Sequence, residues 1–345
     1  MARQSLAVKY RPKTWDDVVE QSSAVAILKN QLETGEIKHA YLFCGGAGTG
    51  KTTCARIFAN EINQHKGNPI ELDAASNNSV DDVRNIIQQS KVQSMDSEYR
   101  IWIIDECHAL SNNAWQAFLK ILEEPPKKAI FIFCTTDPQK IPKTILSRVQ
   151  RYDFQRISQL GIQKRLSEVL KMENSDKSHP FIDADPSALE YIAKLADGGM
   201  RDALTMMDKC LAFSEELQIE SVVKVLGVVD YSVMFDLTNA VIYGDKQKVI
   251  EVIEKIHSEG KDLKLFTREY LNFVLDVVKY DITQTFTYMQ LPSAYAEELE
   301  KHEDGVWFQG CQKLLEVVLQ LVNDVKWDSN PKMLIESRLI LFKGV

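Results

Sequence analysis

The run GGAGTGKT at residues 45–52 constrains the fold more than any other stretch of the chain. It fits G-x-x-x-x-G-K-[ST]. The apolar run AYLFCG (40–45) leads into it, and the helical pattern KTTCARIFANEIN follows it. Strand, glycine-rich turn and helix in that order are the context a phosphate-binding loop requires. The glycines let successive backbone N–H groups wrap phosphate oxygens, and the start of the helix adds positive potential. Gly45, Gly46, Ala47, Gly48, Thr49, Gly50, Lys51, Thr52 and Thr53 are the candidate nucleotide contacts. Lys51 can reach β- and γ-phosphates, and Thr52 can hold Mg²⁺.

A loop of this kind belongs to a parallel sheet, and the surrounding pattern agrees. PIELDAA (69–75), RIWIIDE (100–106) and AIFIFCTT (129–136) are short apolar runs of the type buried in parallel sheets, with RYDF (151–154) a weaker fifth. Helical patterns such as NNAWQAFLKILEEPP fall between them, so the sheet is expected to be covered on both faces. The two prolines at 125 and 126 stop that helix. After about residue 157 strand signals vanish, and SDKSHPFIDADP is a polar connector between two helical segments. LGVVDYSVM (226–234) suggests a second boundary, followed by long amphipathic helices. In QGCQKLLEVVLQLVNDVKW, Leu314, Val318, Leu321, Val322 and Val325 share one face. The expected division is an α/β core over 1–157, a small helical domain over 158–226 and an all-α domain over 227–345.

Three further places can carry chemistry. IWIIDE (101–106) ends an apolar strand in two carboxylates. Asp105 is placed to contact Mg²⁺ directly or through water, and Glu106 to polarise an attacking water. CTTD (134–137) ends the next strand, where Thr136 is chosen over Thr135 to touch both water and γ-phosphate, although alternation alone does not decide. GGMRDAL (198–204) puts Arg201 at a helix start, against the macrodipole, which a phosphate or Asp202 would compensate. The letters DECH (105–108) also suggest a helicase box, but such an enzyme needs a second nucleotide-facing domain, and only helices follow residue 157. His108 is accordingly read as a surface residue at a helix start.

Composition excludes several classes. No apolar run approaches bilayer length, and the N-terminus has no signal core, so no membrane partner and a cytoplasmic location are expected. Six cysteines, none at metal-ligand spacing, argue for no zinc and a reducing compartment. The net charge of −8 argues against indiscriminate adhesion to nucleic acid. There is nonetheless a local excess between 127 and 165, where nine Lys and Arg residues, including Arg148 and Arg165, face only Asp137 and Asp153. A solvated face and a binding stripe both account for it.

Taken together, these residues resemble an AAA+ ATPase, and more closely the gamma/tau subunits of the bacterial DNA polymerase III clamp loader. The segments that carry the resemblance are YRPKTWDDVVEQ (10–21), HAYLFCGGAGTGKTT (39–53), ELDAASNNSVDDVR (71–84), IDECHALSNNAWQAFLKILEEPP (104–126), TTDPQKIPKTILSR (135–148) and GGMRDAL. The small subunits of replication factor C are similar at greater distance. The resemblance is dense over 7–205 and thinner beyond, where NPKMLIESRLILF (330–342) is similar to the end of the family's collar. It implies an ATPase core, a helical lid and an oligomerising collar, with ATP and Mg²⁺ as cofactors. It implies that Thr136 is sensor 1, Arg201 is sensor 2, and Arg11 lines the adenine pocket. It also implies that Arg148 is an arginine finger serving a neighbouring subunit. The partners implied are a sliding clamp, primer–template DNA and other clamp-loader subunits in a pentamer, with ATP hydrolysis driving clamp loading.

The chain departs from the family in three places. The four-cysteine zinc module is replaced by NEINQHKGNP; the S-R-C motif reads SRV, with Val149; and SNNSV (76–80) stands where relatives carry cations that touch template DNA. Serine, asparagine and a helix N-terminus can still donate to phosphate there, with a smaller electrostatic share. The missing module and the short C-terminus read as a compact form of the family. A helicase loader or branch-migration motor is the alternative, and a non-hydrolysing scaffold a third reading.

Overall fold

The computed structural model describes residues 4–92, 94, 96–175, 181–214, 216–227, 229–292, 295–302 and 305–343. The middle of the expected connector, 176–180, and residue 228 of the expected second boundary lie outside the described residues. Two compact units form: residues 1–171 with 196–208, and residues 172–195 with 209–345.

The first unit is built on five parallel strands, β1 Ala40–Gly45, β2 Ile70–Asp73, β3 Arg100–Asp105, β4 Ala129–Thr135 and β5 Gln150–Phe154. Their order across the sheet is β2-β3-β4-β1-β5. Strand β1 therefore lies between β4 and β5, and β4 separates it from β3. In open parallel sheets the crevice at the C-terminal ends of such strands is where ligands bind. All three of β1, β4 and β3 end there in polar residues: the glycine loop, Thr135 and Asp105.

Helices cover both faces. They are α2 Ser22–Thr34, α3 Lys51–Ile62, α4 Val80–Ser90, α5 Asn112–Glu123 and α6 Lys143–Leu146, while α1 Leu6–Lys9 and the first part of α7 Gln159–Ser175 also belong to this unit. One face buries Trp102, Phe131 and Phe133 against Trp115 and Phe118 of α5. The other buries Tyr41, Phe43, Ile103 and Ile132 against Cys54 and Phe58 of α3. Alternate residues of β1, β3 and β4 thus go to opposite layers, which is why these strands read as unbroken apolar runs. Strand β2 does not follow that expectation. It pairs on one side only, with β3, and Ile70 is 39% exposed. As an edge strand it is held by a bidentate pair from Arg56 of α3 to Glu71.

The second unit is almost wholly helical: α8 Pro186–Leu195, the end of α9 Met200–Phe213, α10 Ile219–Leu226, α11 Tyr231–Ile242, α12 Lys246–Ser258, α13 Leu263–Thr283, α14 Ala296–Glu300, α15 Val306–Val325 and α16 Pro331–Ile340. Leu314, Val318, Leu321 and Val325 form the buried stripe of α15, with Val322 at its margin. Strand signals do not vanish entirely after residue 157. The two-residue strands β6 Asp183–Ala184 and β7 Glu216–Leu217 pair in parallel and are too short to show a period in sequence. Among the described residues no single helix is long and apolar enough to cross a membrane.

Candidate active site

The glycine loop has positive φ at Gly45, Gly48 and Gly50, and the last two shape its turn. Gly48 has φ +68° and Gly50, the N-cap of α3, has φ +99°. A Cβ on Gly48 would sit 2.9 Å from the Cα of Gly199, and the Gly48 carbonyl accepts from the Met200 N–H at 3.1 Å. Only glycine fits between the loop and the GGMRDAL segment. This contact fixes the start of α9 beside the loop, and with it Arg201.

A cavity of about 450 Å³ opens over the loop, within the size range of ligand pockets. Its floor is Ala47 to Thr53, with Asp105 and Glu106 on one side and Arg201 on another. The rest of the lining includes Ala7, Tyr10, Val18, Ile157 and Leu204 together with the charged Arg11, Asp17, Arg56, Arg165 and Asp202. Ala7, Tyr10, Val18, Ile157 and Leu204 give the cavity an apolar part, with Arg11 also in the lining, that can take a flat ring.

Lys51 is 6% exposed. Its ammonium donates to the carbonyls of Gly45 at 2.9 Å and Gly46 at 2.7 Å. Gly45 and Gly46 therefore stand behind the lysine and hold it, rather than lining the cavity as the motif alone suggests. The physical reason is that a buried ammonium takes the nearest acceptors available. Burial pulls the Lys51 ammonium below the ordinary lysine range, opposed by neighbouring negative charge, led by Glu106.

The Thr52 hydroxyl donates to Asp105 Oδ2 at 2.8 Å. A hydroxyl and a carboxylate converging beside a phosphate loop are hard oxygen donors. They suit Mg²⁺, which takes few protein ligands and completes its shell with phosphate and water. Glu106 follows Asp105 with a left-handed backbone, φ 46° and ψ 42°, and its N–H donates to Asp105 Oδ1 at 3.0 Å. Non-glycine residues in that region carry local strain, and functional sites concentrate it. The Thr136 hydroxyl donates to Glu106 Oε2 at 3.0 Å. Thr135 is fully buried and accepts from the Asp137 N–H at 3.0 Å. Of the two threonines, Thr136 is the one that touches Glu106.

His108 departs from the expectation of a surface residue. Its side chain is 22% exposed, and Nδ1 lies 3.2 Å from Glu106 Oε2 and 3.1 Å from Thr135 Oγ1. The short helical turn Cys107–Ala109, anchored by the fully buried Cys107, tips the ring inward over the end of β4. The sequence carries no signal for this, because the direction of the ring depends on the turn at Cys107 and on β4 lying beside β3.

Arg148 does not line the cavity of its own chain. It follows α6, donates to Thr144 O at 2.7 Å and Ser147 Oγ at 3.1 Å, and pairs with Glu123 of α5 at 2.5 Å. The basic excess around it is largely offset. Lys128, Lys140, Arg151, Arg156 and Arg165 pair with Glu98, Asp137, Asp153, Asp197 and Glu168 respectively. Three of those acids lie outside the 127–165 stretch, which is why the sequence showed an imbalance. Arg165 adds a role the sequence did not suggest, because it also lines the cavity.

The SNNSV segment is occupied by its own chain. Asn77 Nδ2 donates to Asp73 O at 3.0 Å, and Ser79 and Asp82 close a reciprocal capping box at the start of α4. Asp81 and Asp82 also place negative charge in the first turn. That helix start is a poor place for a DNA phosphate.

Comparisons with known proteins agree with one another. The sequence model for "DNA polymerase III, delta subunit" matches residues 20–78 and 69–158. That for "DNA polymerase III clamp loader subunit, ATPase lid domain" matches 161–216, and "DNA polymerase III subunits gamma and tau domain III" matches 217–342. The chain is 32% identical to DNA polymerase III subunit tau of Bacillus subtilis, over 99% of this chain and 63% of that protein. It is 30% identical to DNA polymerase III subunit gamma of Buchnera aphidicola, over 99% of this chain and 98% of that one. With the tau subunit of Escherichia coli it is 32% identical, over 79% of this chain and 45% of that one. The chain thus spans between about two fifths and two thirds of the tau relatives. Among solved structures, the Thermotoga maritima RuvB Holliday junction branch migration motor superposes with a TM-score of 0.51 at 19% identity, over 68% of this chain and 79% of that one. That likeness is one of fold, the AAA+ α/β fold.

Proposed function

Since the chain belongs to the gamma/tau family of DNA polymerase III subunits, we propose that it is an ATP-hydrolysing motor subunit of a clamp loader. In this reading it works in the cytoplasm with other subunits in a pentamer, opening a sliding clamp and placing it on primer–template DNA. The observation that carries the reading is one cavity lined by Lys51, the Thr52–Asp105 pair, Glu106 and Arg201. Thr136 reaches that cavity through Glu106. Residues 1–157, 158–226 and 227–345 are the proposed core, lid and collar.

The chemistry follows from the residues present. ATP seats its triphosphate on the N–H groups of residues 47–53, with the base between Arg11 and the apolar wall. Lys51 exchanges its two carbonyl acceptors for phosphate oxygens, which the low dielectric of a buried site strengthens. Thr52 and Asp105 would hold Mg²⁺, which would supply positive charge against the phosphates. Glu106 polarises the attacking water, Thr136 orients Glu106, and Arg201 contributes positive charge near the γ-phosphate. Arg148 completes the site of a neighbouring subunit. An arginine supplied in this way contributes about 10³–10⁵ in rate in other nucleotide hydrolases. The RuvB likeness, at 19% identity, favours no branch-migration role.

The test is ATP turnover by the chain with its partner subunits, with and without a sliding clamp and primed DNA. Stimulation by both together is expected, and Glu106→Gln is expected to keep ATP binding while losing turnover. Basal hydrolysis indifferent to clamp and DNA would overturn the clamp-loading role and leave the ATPase.

A further inference from the structure

The network behind Glu106 contains one member that the motif reading leaves without a role. We propose that His108 is a positioning residue for Glu106, holding one carboxylate oxygen so that the other is presented to the attacking water. The proposal rests on the reading of Glu106 as the water-polarising group.

The geometry is specific. The Thr136 hydroxyl donates to Glu106 Oε2 at 3.0 Å, and His108 Nδ1 lies 3.2 Å from the same oxygen, an ion-pair contact when the ring is charged. The hydrogen bond of Nδ1 is with Thr135 Oγ1, and the carboxylate, which only accepts, adds an electrostatic contact at the same nitrogen. Thr135 Oγ1, 3.1 Å from the same nitrogen, is itself fixed by the Asp137 N–H at 3.0 Å and by complete burial. The ring is thus located from behind by a rigid hydroxyl at the end of β4 and acts forward on the carboxylate. No hydrogen bond among the described residues uses Glu106 Oε1. The Thr136 hydroxyl and the imidazole both lie at Oε2, which leaves Oε1 to accept from a water. The left-handed backbone of Glu106 adds a reason for such support. A strained residue persists only where its surroundings over-determine it.

Orientation of this kind affects the chemical step more than ground-state binding. The experiment compares His108→Phe, which keeps a ring and removes the donor, with His108→Asn, which returns an N–H near the position of Nδ1. Thr135→Val loosens the ring from behind, and Glu106→Gln is the control. ATP affinity and kcat are measured for each in the assembled protein. His108→Phe is expected to lower kcat about tenfold, less than the loss of a whole general base, with ATP affinity unchanged. His108→Asn is expected to recover most of the loss, and Thr135→Val to lower kcat alone. Wild-type kcat in both His108→Phe and Thr135→Val would overturn the proposal, as would His108→Asn as slow as His108→Phe. Should His108→Phe fail to fold, Thr135→Val with unchanged kcat overturns it by itself. Wild-type turnover in Glu106→Gln would instead remove the water-polarising reading on which the proposal rests.

Discussion

In the proposed site a single buried ammonium, that of Lys51, is the group that meets the triphosphate. Lys51 is buried among carbonyls and beside Glu106 and Asp105, with its charge already partly desolvated. Exchanging two neutral acceptors for phosphate oxygens is favourable because charge-assisted hydrogen bonds are roughly twice as strong as neutral ones. Lys51→Ala is expected to weaken ATP binding about 10–100-fold, the equivalent of one lost charged contact. Equilibrium binding of a fluorescent ATP analogue measures it, and unchanged affinity would remove the lysine from the site. The core of this site was legible in the sequence. Lys51, Thr52, Asp105 and Glu106 stand at the junctions where an apolar run ends, and those junctions can be read without a structure. His108 was not, because its role depends on a turn at Cys107 that tips the ring toward β4. Nor was the Arg148–Glu123 pair, whose members are 25 residues apart and meet only when α5 and α6 pack.

Among the elements, α13 carries a titratable group whose environment makes stability depend on pH. Glu269 is half-buried, and burial pushes its carboxyl up from 4.5 to about 7, against smaller opposing effects of the Val229 N–H and Lys261. The folded state therefore holds this proton to near neutrality, whereas the unfolded chain releases it near 4.5. Between those values the native state binds more protons, so stability is fully present below the lower one and is lost as pH rises through the window. Allowing for partial solvent access, the loss is on the order of 1–2 kcal/mol. Glu269→Gln is expected to flatten the fall in Tm between these two pH values. An unchanged slope in the variant would place the effect elsewhere. Strand and helix identity were readable at this scale because burial on two faces leaves an apolar run and burial on one face leaves a stripe. The edge position of β2 was not read, although the run PIELDAA alternates Ile70 and Leu72 with Glu71 and Asp73 and is more polar than the interior strands; the strand order makes it an edge.

For the whole molecule, the location of Arg148 distinguishes a self-sufficient hydrolase from one that is completed by assembly. The guanidinium lies off its own cavity and is engaged by Thr144, Ser147 and Glu123. Glu123 and the arginine are both partly exposed, 52% and 33%, so the pair is weak and a phosphate of another chain can displace the carboxylate. If Arg148 acts only across an interface, Lys51→Ala and Arg148→Ala each inactivate a different half of a shared site. Each variant alone is expected to hydrolyse ATP slowly, and a mixture is expected to regain activity, because an intact Arg148 from the first chain meets an intact Lys51 on the second. Random pairing at equal amounts gives the productive order in about a quarter of the interfaces, so recovery to roughly that fraction of the wild-type rate is the quantitative expectation when the per-site gain is as large as in other trans-arginine hydrolases. Arg148→Ala with wild-type turnover on its own would return the residue to an ordinary surface ion pair. In that case the cavity is complete within one chain, and hydrolysis does not depend on assembly.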